Sequence, residues 1–115
     1  MSGAETSLVH TAIALLKLKG VFCWRNNTGA TVLGEGDGRR FVRFGVPGAS
    51  DILGVLPGGR FFAAEAKVGR NKPTRAQQDF LNSVSRAGGL AIVFYSIDEL
   101  IERIKESEDE HASSR

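Results

Sequence analysis

The sequence holds a single cysteine, Cys23, so no intrachain disulfide can staple it, and a reducing, cytosolic setting is the expected one. Apolar residues make up 42% of the chain, yet no run of them approaches the roughly 20 residues that a membrane-spanning helix needs. The first residues also lack the basic patch, apolar segment and cleavage site of a secretory signal. Glycines cluster at residues 34–40, but not between a strand and a helix in a phosphate-binding pattern, so no nucleotide cofactor is expected. No internal repeat is visible. With 115 residues there is room for one domain with a modest core, placed here at residues 1–106.

Charge is present in both signs but unevenly placed. Residues 98–115 contain seven acidic and three basic side chains, which leaves twelve Lys/Arg against six Asp/Glu in residues 1–97. Residues 107–115 read as an acidic, disordered tail. A basic body suits a polyanionic partner, because Lys and Arg contacts with phosphates supply the sequence-independent part of nucleic-acid affinity.

The chemistry concentrates in Gly48-Ala49-Ser50-Asp51 and, after thirteen further residues, Glu65-Ala66-Lys67. Between them an apolar run (52–56), the turn Pro57-Gly58-Gly59 and a second run (60–66) predict a β-hairpin. Strand alternation puts Glu65 and Lys67 on one side, about 7 Å apart, with Phe61 and Ala63 on the same face. Asp51 opens the partner strand. Two carboxylates converging without a cation would repel until one took up a proton, whereas a divalent metal keeps both ionised. Hard oxygen donors with room for water suit Mg²⁺ or Mn²⁺. Such a site can activate water and polarise a phosphoryl oxygen, while a neighbouring Lys orients that water or stabilises developing charge. The alternative is a solvated Glu65–Lys67 ion pair with Asp51 as a turn residue.

Together with Thr74-Arg75-Ala76-Gln77, Phe80-Leu81 and Gly88-Gly89, these residues resemble the virus-type replication-repair nuclease (VRR-NUC) family of the PD-(D/E)xK nuclease superfamily. The likeness runs from about Glu5 to Ser96 and is closest to short phage or bacterial members. Ser50 stands where the superfamily has its name-giving proline, which is not a ligand. The resemblance implies an α/β domain with a restriction-endonuclease-like core, a mixed central β-sheet flanked by helices, and the strand after the Thr74 helix beside the Glu65 strand. It implies metal binding by Asp51, Glu65 and the Ala66 carbonyl, with Lys67 acting on the attacking water. Glu5 and Gln77 would complete the site, Glu5 directly or through water.

Both of those last residues also have purely structural readings. Leu8, Val9, Ala12, Ile13, Leu15 and Leu16 form the apolar stripe of a helix at 3–19, in which Ser2-x-x-Glu5 fits a capping box. A helix at 74–87 has Thr74 as N-cap and Gln77 at the third position, again a capping box, while Gln77 also lies above the stripe of Phe80, Leu81 and Val84. Residues 21–24 and the run 90–95 read as strands, the latter buried on both faces, and Ser96-x-x-Glu99 opens a last helix. Residues 41–44 alternate as a twisted or edge strand. Candidate contacts to DNA are Arg25 and Asn26, which the resemblance places near the catalytic centre, the cluster Arg39, Arg40 and Arg43, and Arg70 and Lys72 in the turn after Lys67.

The functional expectation is a Mg²⁺- or Mn²⁺-dependent DNA endonuclease. The resemblance implies a homodimer that cuts branched DNA as Holliday junction resolvases do. Flap or nonspecific nicking, and a non-catalytic DNA-binding module, are the alternatives.

Overall fold

The computed structural model describes residues 3–27 and 29–113. Helix α1 (Gly3–Leu18) presents Glu5, Val9, Ala12 and Leu16 at helical spacing to the interior. Strand β1 (Phe22–Arg25) follows, then a two-stranded ribbon of β2 (Gly29–Leu33) and β3 (Arg40–Phe44) joined through a single 3-10 turn at Gly36–Gly38. The hairpin comes next, as β4 (Ile52–Val55) and β5 (Phe61–Ala66), then α2 (Arg75–Arg86), β6 (Leu90–Phe94) and α3 (Ile97–Ser113).

Four strands form one mixed sheet in the order β1-β4-β5-β6, antiparallel except for the parallel β5–β6 pair. The parallel pair requires a crossover, and α2 supplies it. β6 therefore lies beside the Glu65 strand, with Glu65 opposite Val93. The chain is thus mixed α/β, with helices on both faces of the sheet.

Strand alternation sorts the side chains cleanly. One face carries Cys23, Ile52, Phe62, Ala64, Ala66, Leu90, Ile92 and Phe94 against Val9, Ala12 and Leu16 of α1 and Leu100 and Ile104 of α3. Burying each large apolar side chain here contributes about 1.5–3 kcal/mol. The other face packs Ala63, Leu53, Ala91 and Val93 under Phe80, Leu81 and Val84 of α2. β6 is fully buried only on the first face; Ala91 and Val93 keep some exposure, unlike the two-sided burial expected of so apolar a run.

Two further expectations are corrected. Residues 107–113 are not disordered; they continue α3. Ser107 is buried, and its Oγ accepts a hydrogen bond from Arg60 (2.5 Å), while Arg103 and Glu106 pair along the helix at 3.7 Å. Composition registered only the charge and missed this anchor. Residues 114–115 lie outside the described residues. The strand expected at 41–44 exists, but it pairs with Gly29–Leu33, which had not been read as a strand, and the two form a separate sheet.

Candidate active site

The site forms where β4 begins and β5 ends. Continuing the β4–β5 register by one residue sets Asp51 opposite Glu65. Asn26 donates its N–H to the Asp51 carbonyl (2.8 Å), so the same row reaches β1. The Asp51 side chain folds across the strand end, where Oδ2 accepts the Ala66 N–H at 2.9 Å. Asp51, Glu65 and Ala66 are thereby brought together as expected.

Glu65 is 2% exposed. Its Oε1 accepts from Gln77 Nε2 (3.3 Å), while Oε2 is buried without a donor. Burial above all, then the negative charge of Asp51, pushes the Glu65 carboxyl up to about 8; Lys67 acts in the opposite direction and Glu5 adds a smaller upward push. At neutral pH the Glu65 carboxyl therefore keeps its proton. Lys67 is itself buried, fixed to the parallel strand through its N–H to the Phe94 carbonyl (3.0 Å).

Gln77 fills both roles that the sequence left open. Its Oε1 accepts the Thr74 N–H (2.8 Å) and its N–H donates to Thr74 Oγ1 (3.2 Å), closing the capping box, while Nε2 donates to Glu65. An amide has separate accepting and donating ends, so the cap orients the donor at the carboxylate. Gly48 sets the height of this helix end. It lies at φ 76°, and a Cβ there would stand 2.2 Å from the Ala76 carbonyl oxygen and 2.8 Å from the Gln77 nitrogen. Only glycine lets the Gly48-Ala49 loop approach so closely.

A polar cleft of about 320 Å³ opens onto the pair, lined by Arg25, Asn26, Asn27, Gly48, Ala49, Asp51, Glu65 and Gln77. Arg25 and Asn26 therefore lie at the cleft, near the carboxylates as the resemblance implied, and Asn27, not singled out beforehand, joins them. Its place directly after Arg25-Asn26 was the available signal. Arg25 also forms a 3.1 Å hydrogen bond with His10 Nε2, linking α1 to the cleft rim. Arg39, Arg40 and Arg43 do not line the cleft; Arg40 and Arg43 belong to β3, where Arg43 sits over the Phe41 ring at 5.5 Å, and Arg39 caps the 3-10 turn. Arg70 and Lys72 are exposed in the turn after β5.

Glu5 is buried and its charge acts weakly on Glu65, but it does not line the cleft; Ser2, its alternative capping partner, lies outside the described residues. Among the described residues, however, no group of three or more His, Cys, Asp and Glu side chains is arranged to hold a metal ion. Direct ligation by Glu5 alongside Asp51 and Glu65 is not what the geometry offers. Two carboxylates with a backbone carbonyl and space for water is a donor set that Mg²⁺ or Mn²⁺ accepts, since Mg²⁺ commonly keeps several waters and takes one or two carboxylates. The donorless, buried Oε2 of Glu65 fits the same demand. No helix among the described residues is long and apolar enough to cross a membrane.

No model of a known protein family matches the chain, and a search of curated proteins finds no relative.

Proposed function

We propose that the chain is a Mg²⁺- or Mn²⁺-dependent DNA endonuclease with a restriction-endonuclease-like core, acting on branched DNA as a homodimer. The observation that carries this reading is buried Glu65, its Oε2 without a donor, set opposite half-buried Asp51 in a cleft lined by Arg25 and Asn26. Functional carboxylates are where burial and like charge are tolerated together. In this reading Asp51, Glu65 and the Ala66 carbonyl hold the cation, with Glu5 contributing through water. Bound there, the cation would lower the pKa of a water and polarise the scissile phosphate.

The chain's own groups do the rest. Gln77 fixes the rotamer of Glu65 by holding Oε1. Ala66 N–H fixes Asp51 in the same way. Lys67, beyond Glu65 on the same strand face, orients the attacking water and offsets negative charge developing on phosphorus. Arg25 and Asn26 bind the flanking phosphates. Arg39, Arg40, Arg43, Arg70 and Lys72 extend the contact to more distant backbone.

A second reading, a DNA-binding module without catalysis, draws on the lack, among the described residues, of three or more side chains grouped to hold a metal and on the proton that Glu65 keeps at neutral pH.

Labelled four-way junction, flap, duplex and single-stranded DNA, each incubated with Mg²⁺ or Mn²⁺, separate the two. The nuclease cuts the junction, Asp51→Asn abolishes cutting, and Lys67→Ala slows it roughly 10²- to 10³-fold with DNA binding near wild type. If neither metal supports cutting while wild type and Asp51→Asn bind DNA equally, the binding module is the better account. Sedimentation as a monomer at micromolar concentration would count against paired cleavage.

A further inference from the structure

The face of the sheet that holds Glu65 is only partly roofed. α2 covers β5 and β6, and the half made by β1 and the outer end of β4 is left open. Register fixes what lies there. The row Asn26–Asp51–Glu65 is followed, two residues along each strand, by Trp24–Leu53–Ala63, and then by Phe22–Val55–Phe61. Each step is about 6.6 Å. Phe22 is 69% exposed and Trp24 40%, with ring centroids 5.4 Å apart and planes tilted by 51°; Phe61 completes the row at 38%.

Scattered apolar residues on a surface need no explanation, but two neighbouring aromatic rings on an open strand do. What distinguishes this strip is what it leads into. On its open face β1 carries Phe22 and then Trp24, and Arg25, Asn26 and Asn27, which follow in the chain, line the cleft. One end suits the flat, apolar face of a base, and the other suits an anionic phosphate. A nucleotide has both parts in that order. Bases inside a duplex already stack on one another and hide their faces, so away from a duplex end it is an unpaired base that can lie on Trp24.

We propose that Trp24 and Phe22 form a stacking platform for unpaired nucleobases of DNA, next to the phosphate held in the cleft. The platform itself needs only the sheet. That it selects a substrate with single-stranded character beside the scissile bond rests on the nuclease reading above.

Trp24 is the only tryptophan, so its fluorescence reports directly on the platform. Titration of the wild-type chain with single-stranded oligothymidine in EDTA is expected to quench it saturably, with much weaker quenching by blunt duplex. Trp24→Ala is expected to weaken single-strand binding, read by anisotropy of labelled oligonucleotide, roughly 10-fold, whereas Trp24→Phe keeps a ring and most of the affinity. Equal quenching by duplex, or none by either DNA, overturns the platform. So does emission that shifts with protein concentration in the absence of DNA, since the strip is then covered by a second copy. Metal-dependent cleavage without quenching sinks the platform alone; quenching without cleavage by any metal sinks the nuclease reading alone.

Discussion

Toward α1 and α3, strand β5 offers Phe62, Ala64 and Ala66, all fully buried among aliphatic and aromatic neighbours; toward α2 the same strand offers Phe61, Ala63 and Glu65, with buried Lys67 just beyond its end. On the first face β4, β5 and β6 present no polar side chain. The second holds a carboxyl pushed far from its ordinary range, an oxygen without a donor, and rings left in water. One strand thus separates the residues that hold the fold from those that strain it. Groups that a stable fold would avoid, gathered on one side, are the physical mark of a site.

The largest way to break this contrast is on the apolar face. Phe62→Ala should remove about 3–5 kcal/mol, a large share of the stability of a domain this small, measured by urea denaturation. A comparable loss from Phe61→Ala would erase the distinction between the faces.

A smaller, pH-dependent effect belongs to the other face. Folding raises the Glu65 pKa to about 8 from its ordinary 4.5. The folded state then binds the proton that the unfolded state has lost. The resulting stability is complete below about pH 4.5, drains away as pH rises to 8 by at most about 1.4 kcal/mol per unit, and is gone above. Denaturation between pH 5 and 8 should show this decline in metal-free wild type and a flatter profile in Glu65→Gln. Mn²⁺ at pH 8 should raise the melting temperature of wild type and not of Glu65→Gln.

The smallest effect is at Ser50, fully buried with an unpartnered Oγ. Ser50→Ala removes the orphaned hydroxyl and should stabilise by about 1 kcal/mol, read as a rise in melting temperature.

Much of the frame was legible because local patterns and tertiary structure agree. α1, α2 and the β4–β5 hairpin each have a stripe or alternation that matches the face they bury, β6 was legible as a strand though not in its one-sided burial, and Asp51 and Glu65 meet as the hairpin suggested, with Gln77 beside them as the resemblance implied. What stayed hidden depended on partners distant in sequence. Gly29–Leu33 is too short and small-sided to announce a strand without β3. The last two turns of α3 look soluble and unstructured until Arg60 is seen 47 residues earlier, bonded to Ser107. The aromatic strip of β1 required knowing that α2 stops short of it, which only the packing reveals.

Arg60 has a further consequence. Its guanidinium donates to the Gly88 carbonyl (3.0 Å), the Gly89 carbonyl (3.3 Å) and Ser107, riveting β5, the turn before β6 and α3 together. It sits five residues before Glu65, roughly 17 Å away along the strand. Glu106, Glu108, Asp109 and Glu110, beside the riveted Ser107, are therefore fixed at the end of the sheet remote from Arg25 and the cleft. Lys19 and Lys105 share a hollow with Glu108, so this end carries charge of both signs. Held there, its carboxylates cannot reach over the cleft to repel a polyanion.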